Sequence, residues 1–306
     1  MASLSTLGLA SKLASFRSSN FLSSADLNSN QILSLFELAK QLKIGNRRID
    51  LGNRVLGLIF NKASTRTRVS FQVAMARLGG QTVDLNPQAT QLGRGEPIKD
   101  TARVLSRYCD VLAIRTFSQK ELEEYAKWSA IPVINALTDL EHPCQALADY
   151  LTIQEKFGTL KGINLSYIGD SNNVANSLMI TGAMLGVNVR ICSPKGFEAD
   201  SNILEKAKSL SEFGSKISIY NDPSIAAKDA QVIYTDVWAS MGQEEEYIKR
   251  KEIFAKYRVD QNLIDLACDD VIILHCLPAH RGEEITEEAL ESSNSYVFEQ
   301  AENRLH

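Results

Sequence analysis

The sequence predicts an α/β protein with two doubly wound parallel-sheet domains, each with helices on both faces of its sheet. Three observations predict this class. Apolar segments of strand length alternate with segments of helical periodicity, as in parallel sheets. The alternation is interrupted by a long helical stretch at 145–157 and then restarts, which suits two domains in a chain of 306 residues. Polar residues follow nearly every strand, where ligands bind in such sheets.

The first half of the chain begins with a predicted helix at 28–43. Ile32, Phe36 and Ala39 recur there at helical spacing, and Gly45 follows as a stop. The later elements, in chain order, are a strand at 55–60, a helix at 69–78, a helix at 101–108, a strand at 110–117, a helix at 121–128 and a strand at 131–137.

The second half repeats the alternation after the helical stretch at 145–157. Its predicted elements are a strand at 162–170, a helix at 174–185, a strand at 187–194, a helix at 198–213, a strand at 216–220, a helix at 224–228 and strands at 230–237 and 270–278. We therefore predict domains at 20–147 and 148–306, with a serine-rich tail at 1–19.

Composition narrows the class of function. A formal charge of −4 argues against a general binder of nucleic acid, which usually carries a broad basic surface. No apolar stretch approaches the roughly 18 to 20 residues of a membrane-spanning helix. The five cysteines are scattered, which favours free thiols and a reducing compartment. We expect a cytoplasmic protein, or an organelle-matrix protein if the tail, which has no acidic residue, is a transit peptide.

The segment STRTR at 64–68 is the first candidate site. It joins a buried strand to a helix, where free backbone N–H groups and the helix dipole favour an anion. Hydroxyl groups and a planar guanidinium suit phosphate. The alternative is an ordinary N-cap, but capping needs one hydroxyl and favours acidic residues in the first turn. We expect Arg66 to bind the ligand and Arg68 to form a structural ion pair.

Two further segments open helices after strands. In HPCQ at 142–145, His142 and Gln145 could bind a carbonyl oxygen and an amide of a ligand. The alternatives are a metal site formed by His142 and Cys144, or a capped helix without a ligand. GDSNNVANS at 169–177 has one glycine, so it lacks the fingerprint of a dinucleotide site. Its asparagines suggest a small polar ligand, and helix capping explains them equally well.

Two residues at later strand ends could act on an amine. Asp236 ends one strand, and its carboxylate could hold an ammonium group. Cys276 ends the last strand, where a cysteine is more often part of the core. A nucleophilic cysteine would need a base, and strand alternation points its neighbour His275 to the opposite face.

The candidate segments also occur together in a recognisable order. STRTR, HPCQALAD, DSNNVANS, DVWASMGQ, HCLPAHRGEE and AENRLH resemble, in order and spacing, the motifs of the aspartate/ornithine carbamoyltransferases over about residues 20–306. The DVWASMGQ and HCLPAHRG pair is similar to the ornithine branch of that family. Two features depart from the pattern of the family. Asn61 stands where the family often has an acidic residue. The sequence ends two residues after Arg304, where the family usually continues with a helix.

The resemblance implies the site residues and the assembly. Carbamoyl phosphate would bind to the N-terminal domain and the amino acid mainly to the C-terminal one, in a homotrimer with shared active sites. The residues implied for carbamoyl phosphate are Ser64, Thr65, Arg66, Thr67, Gln91 from a neighbouring subunit, Arg115, His142, Gln145, Cys276, Leu277 and Arg304. Those implied for ornithine are Asn173, Asp236, Ser240 and Met241.

The implied reaction requires no metal and no redox cofactor. The δ-amine of ornithine would attack the carbonyl carbon of carbamoyl phosphate, with Arg115, Thr67 and His142 stabilising the oxyanion. Asp236 and Cys276 are the candidates to orient and deprotonate the amine. The alternatives are a relative with another amine acceptor, such as putrescine or an acetylated ornithine, a non-catalytic binding protein, and, last, a nicotinamide-dependent dehydrogenase.

Overall fold

The computed structural model describes residues 19–86, 95–239 and 247–306. The chain forms two compact units. The first unit comprises Met1–Cys144 and Arg304–His306, and the second comprises Gln145–Asn303. No helix in the described ranges is long and apolar enough to cross a membrane.

The first unit is built on a parallel four-stranded sheet of order β2-β1-β3-β4. Its elements are α1 (Ser29–Lys43), β1 (Val55–Phe60), α2 (Arg66–Arg77), β2 (Gln81–Leu85), α3 (Ile98–Leu105), β3 (Val111–Arg115), α4 (Gln119–Trp128) and β4 (Val133–Leu137). The central strands are buried on both faces, because Leu58 packs in a cluster with Met75 of α2 while Ile59 packs in a cluster with Tyr125 of α4.

The second unit is built on a parallel five-stranded sheet of order β7-β6-β5-β8-β9. Its elements are α5 (Pro143–Phe157), whose first two residues belong to the first unit, β5 (Asn164–Ile168), α6 (Asn173–Leu185), β6 (Asn188–Cys192), α7 (Ser201–Ser209), β7 (Ile217–Tyr220), α8 (Pro223–Ala227), β8 (Val232–Thr235), α9 (Tyr247–Phe254), α10 (Gln261–Ile264), β9 (Ile272–His275), α11 (Glu287–Leu290) and α12 (Val297–Asn303). The predicted α/β class, with two helix-covered parallel sheets, is confirmed.

Some elements differ from the predictions for identifiable reasons. Strand β2 was not predicted, because it is an edge strand with the polar sequence QTVDL. The helix predicted at 198–213 covers only Ser201–Ser209. The Asp200 carboxylate accepts hydrogen bonds from the first-turn N–H groups of Asn202 and Ile203, which starts the helix there. Phe213 has a φ of 56°, which no helical residue adopts.

The junction of β1 and α2 also differs from its prediction. Helix α2 begins at Arg66 rather than at Val69, so it starts inside the STRTR segment. Thr67 and Arg68 therefore lie in the first turn of α2, and the strand-end loop is only a few residues long. The backbone N–H groups at the start of this helix thus follow directly on a buried strand, which is the geometry expected of an anion site.

Candidate functional site

The STRTR segment does not behave as an ordinary helix cap. Thr65 occupies the N-cap position of α2, and its side chain makes no capping hydrogen bond. The first turn contains no acidic residue. Thr65 and Arg66 are exposed, while Thr67 is buried. The hydroxyl of Thr65 and the guanidinium of Arg66 are therefore presented at a helix N-terminus, where an anion is favoured.

The second arginine of the segment has the structural role that we predicted for it. Arg68 forms an ion pair with Asp84 at the carboxyl end of β2. Its guanidinium also lies 5.0 Å from the ring centroid of Phe60 at the end of β1. Both contacts tie the start of α2 to the strands that precede and follow it, so the scaffold assignment of Arg68 is confirmed.

Arg304 brings together side chains that are far apart in the sequence. Its Nη2 donates to Thr67 Oγ1 at 3.3 Å, and its Nη1 lies 3.5 Å from His142 Nε2. All three residues belong to the first unit. Thr67 and His142 are buried, with 3% and 4% of their surface exposed. The sequence motif AENRLH thus contributes a cation to the strand-end cluster.

His142 is held as a neutral imidazole. Burial lowers the pKa of His142 well below its ordinary value, and the positive charges of Arg304 and Arg115 lower it further. An imidazole whose Nε2 faces the Arg304 guanidinium carries its proton on Nδ1. Arg115 is itself buried at the end of β3. The cluster therefore combines two arginines with a neutral donor, a combination suited to an anionic oxygen.

Side chains that sequence reasoning missed hold the loop before His142. Glu141 is buried, and its carboxylate accepts hydrogen bonds from Ser23 Oγ at 2.6 Å and from the Ser24 N–H at 2.8 Å. Thr138 N donates to the Glu141 carbonyl at 2.9 Å. After the end of β1, Lys62 is buried and forms an ion pair with Asp139, which follows β4. No motif signals the contacts of Glu141 with Ser23 and Ser24 or of Lys62 with Asp139, because these partners are distant in the chain.

Cys144 and Gln145 follow His142 on α5. The Cys144 thiol donates to the Asn135 carbonyl at 3.4 Å, and burial raises the pKa of Cys144 to about 11. A protonated thiol is a poor metal ligand, so the geometry does not favour a metal held by His142 and Cys144. Gln145 is buried in the second unit, where its amide donates to Asp149 Oδ1 at 2.7 Å.

In the second unit, Asp236 is the centre of a polar cluster at the strand ends. The Asn172 amide donates to Asp236 Oδ2 at 2.7 Å, and the Cys276 thiol donates to Asp236 Oδ1 at 3.1 Å. Asn172 Oδ1 also caps α6 by accepting from Val174 N. The prediction for this segment named Asn173, which is the first residue of α6. The residue that contacts Asp236 is its neighbour Asn172, whose N-cap position turns its side chain toward the strand ends.

The turn that carries Cys276 and Leu277 is supported by a buried histidine and glutamate. Leu277 has a φ of 57°, and its N–H donates to His275 Nδ1 at 2.8 Å. His275 Nε2 therefore carries the ring proton and donates to Glu284 Oε1 at 3.0 Å. Glu284 Oε1 also accepts from His280 N at 2.6 Å.

The expectation that His275 points away from Cys276 is wrong. A ring nitrogen of His275, the Cys276 sulfur and an Asp236 oxygen lie within 4.8 Å of one another. Strand β9 ends at His275, so the alternation of side chains between faces does not extend to Cys276.

Two clusters in the described ranges have the spacing of metal ligands, and their contacts favour another use. The first cluster consists of Asp236, His275 and Cys276. Both ring nitrogens of its histidine are hydrogen-bonded, one to Leu277 N and one to Glu284, and its thiol donates a hydrogen bond to the aspartate. The other cluster consists of His280, Glu283 and Glu284. Its Glu283 carboxylate accepts a hydrogen bond from Lys251 Nζ at 3.0 Å. Neither cluster offers a set of free ligands.

Three predicted site residues, Gln91, Ser240 and Met241, lie outside the described residues, as do positions 1–18 of the serine-rich tail. The described candidates fall into two groups. The first unit contains Ser64, Thr65, Arg66, Thr67, Arg115, His142 and Arg304, and the second contains Gln145, Asn173, Asp236, Cys276 and Leu277.

Two family models match the chain. Residues 19–155 match "Aspartate/ornithine carbamoyltransferase, carbamoyl-P binding domain", and residues 161–306 match "Aspartate/ornithine carbamoyltransferase, Asp/Orn binding domain". The chain is 66% identical to an ornithine carbamoyltransferase from Prochlorococcus marinus over 99% of this chain and 95% of that protein. It is 63% identical to one from Parasynechococcus marenigrum, over 98% of this chain and 94% of that protein.

Solved structures give the same result. The chain superposes on ornithine carbamoyltransferase from Pyrococcus furiosus with a TM-score of 0.91 at 50% identity, covering 94% of each chain. Ornithine carbamoyltransferase from Gloeobacter violaceus gives a TM-score of 0.86 at 50% identity, again covering 94% of each chain. Fold, motif order and relatives agree, and the chain belongs to the aspartate/ornithine carbamoyltransferase family.

Proposed function

We infer that this protein transfers the carbamoyl group of carbamoyl phosphate to the δ-amine of L-ornithine, giving L-citrulline and phosphate in arginine biosynthesis. One observation carries the choice of acceptor within the family. Asp236 is a buried carboxylate, held by Asn172 and Cys276, in the unit that matches the amino-acid-binding model. A carboxylate attracts the cationic side chain of ornithine and repels that of aspartate.

In the first unit, we assign carbamoyl phosphate to the strand-end cluster. Ser64, Thr65 and Arg66 would bind the phosphate at the start of α2, where the helix dipole adds to the arginine charge. Arg304 would bind beside Thr67 and His142, which it already contacts. The further carbamoyl phosphate residues that we propose are Arg115, Gln145, Cys276 and Leu277.

In the second unit, we assign ornithine to the polar cluster around Asp236. Asn173, Asp236, Ser240 and Met241 are the proposed ligands. We propose that residues 20–147 form the carbamoyl phosphate-binding domain and that residues 148–306 bind mainly ornithine, which the descriptions of the two family models support. Gln91 would contribute to a neighbouring subunit's site in a homotrimer.

The reaction needs oriented donors and a proton acceptor. The δ-amine must lose a proton before it attacks. Asp236 can accept that proton, and the Cys276 thiol, which donates to Asp236 Oδ1 at 3.1 Å, orients the carboxylate. As the carbon–nitrogen bond forms, the carbonyl oxygen becomes an oxyanion, which Arg115, Thr67 and neutral His142 stabilise by donating hydrogen bonds. The carbon–oxygen bond then breaks, and phosphate leaves with its electron pair, stabilised by Arg66 and the α2 N-terminus.

The proposed location is the cytoplasm. The alignment with the Prochlorococcus marinus relative spans 303 residues of this chain and so reaches into the serine-rich start. A segment shared with a bacterial enzyme favours a tail of the mature protein over an organelle-targeting peptide.

The test is a citrulline assay with purified protein, carbamoyl phosphate and one amine at a time, without added metal. We expect citrulline from L-ornithine, and no carbamoylated product from L-aspartate or putrescine at matched concentrations. Reactions without carbamoyl phosphate serve as controls. Product from aspartate or putrescine but not from ornithine would overturn the assignment of the acceptor, and no product from any amine would overturn the enzymatic function.

A further inference from the structure

We propose that Arg250 and Asp170 act together as positioning residues for the amino-acid substrate, a role that rests on the proposed ornithine transfer. Arg250 Nη1 donates to Asp170 Oδ2 at 2.8 Å. Both residues are buried, with 7% and 8% of their surface exposed. Neither residue is among the predicted site residues, although Asp170 lies within the DSNNVANS motif.

Arg250 connects helix α9 to two strand ends of the second unit. Asp170 follows β5, and the same Nη1 also donates to the carbonyl of Trp238, which follows β8, at 3.0 Å. The guanidinium lies 5.0 Å from the ring centroid of Phe197, which fixes its plane. One cation thus holds the loop after β5, the loop after β8 and α9 in a single arrangement.

These two loops carry the residues that meet at the polar cluster. Asp170 lies two positions before Asn172, and Trp238 lies two positions after Asp236. The 2.7 Å hydrogen bond from Asn172 to Asp236 therefore spans the same pair of loops that Arg250 joins. The Tyr167 hydroxyl reinforces the first loop, because it lies 2.9 Å from the Asp170 carbonyl oxygen and 3.1 Å from Asn172 Oδ1.

Stability alone does not explain an ion pair in this position. Removing two charges from water costs several kcal/mol per ion, and well-packed apolar residues often replace buried pairs without loss of stability. An ion pair with a directional hydrogen bond to a backbone carbonyl does what apolar packing cannot, because it fixes the distance between two loops. We therefore assign to this pair the spacing between Asn172 and Asp236.

The consequence is specific to one substrate. The described phosphate-binding candidates at the start of α2 belong to the other unit, so loss of the pair should leave them unchanged. A displacement of about 1 Å in a positioning group can cost about 100-fold in rate. We expect Arg250→Gln and Asp170→Asn each to raise the KM for ornithine by about tenfold or more, and to change the KM for carbamoyl phosphate by less than about twofold.

The matched control is Lys251→Gln. Lys251 is the next residue on α9 and forms an exposed ion pair with Glu283 at 3.0 Å. Its loss removes an ion pair of the same helix without touching the two loops, and we expect both KM values to stay at wild-type levels. Arg250→Lys retains the charge, and we expect it to restore part of the ornithine affinity lost in Arg250→Gln.

Several outcomes would overturn the proposal. One is an unchanged ornithine KM in Arg250→Gln and Asp170→Asn while wild type forms citrulline. Another is an equal rise in both KM values, which would indicate a general loss of structure. If Arg250→Gln does not fold, Asp170→Asn and Arg250→Lys decide by the same two KM values. Absence of citrulline with wild-type protein would instead count against the proposed function, so the two failures are distinguishable.

Discussion

The Cys276 thiol donates a hydrogen bond to Asp236 Oδ1 at 3.1 Å, although the two residues lie at the ends of different strands. The other carboxylate oxygen of Asp236 is occupied by Asn172. Asp236 thus accepts hydrogen bonds from one amide and one thiol, which orient its carboxylate. The pair is therefore the best candidate in the described chain for handling the amine proton.

Asp236→Asn should lower kcat/KM for ornithine by about 100-fold or more, because it removes both the charge that attracts the amine and the proton acceptor. Steady-state kinetics with each substrate varied in turn measures the effect. Cys268→Ala is the control, since this thiol belongs to the same unit and lies outside the cluster. Wild-type kcat/KM in Asp236→Asn would contradict the assignment.

The two arginines of STRTR should have different roles, with Arg66 in ligand binding and Arg68 in stability. Arg66→Ala should raise the KM for carbamoyl phosphate by about tenfold or more, because an exposed guanidinium at the start of α2 is lost. Arg68→Ala should leave that KM unchanged and lower the free energy of unfolding by about 1 kcal/mol, since it loses the Asp84 ion pair and the Phe60 contact. A raised KM for carbamoyl phosphate in Arg68→Ala together with an unchanged KM in Arg66→Ala would contradict this assignment.

The buried His142 should make stability depend on pH. Its pKa is lower in the folded protein than the ordinary value of about 6.5 that applies to the unfolded chain. As the pH falls, the unfolded state therefore binds the proton first. The contribution of His142 to the free energy of unfolding is fully present above about pH 6.5 and is lost as the pH falls toward the pKa of the folded state. The loss can reach about 1.4 kcal/mol per pH unit.

Denaturant unfolding at a series of pH values tests this dependence. His142→Asn should show a shallower loss of stability below about pH 6.5 than wild type. His280→Asn should behave like wild type, because its ring is 47% exposed. Identical slopes for wild type and His142→Asn would show that His142 does not carry the effect.

Glu284 should matter more to stability than its exposed neighbours on the same segment. Glu284→Ala removes the acceptor of both His275 Nε2 and His280 N in a fully buried place, so we expect a loss of about 1–3 kcal/mol in the free energy of unfolding. Glu287→Ala, which removes an exposed partner of Arg281, should cost less than about 1 kcal/mol. Equal effects of the two variants would exclude a special role for the His275–Glu284 pair.

The order of residues in the chain is enough to predict the class of fold and the places where chemistry could occur. Buried apolar segments such as Val55–Phe60 and the helical periods between them indicate parallel sheets. A strand buried on both faces leaves a continuous apolar run, and a helix buried on one face leaves a helical period. Strand ends are equally visible, so Arg66, His142, Asp236 and Cys276 could be named as site candidates. Their motif order was specific enough to indicate the family.

Which of these side chains meet became clear from the folded arrangement alone. Arg304 contacts His142 across 162 positions, and Arg250 pairs with Asp170 across 80. Asn172 rather than Asn173 contacts Asp236, and His275 turns toward Glu284 once β9 has ended. Periodicity reports whether a residue is buried and where an element ends. The partner of a polar side chain depends on strand order and on the path of loops, which no local pattern records.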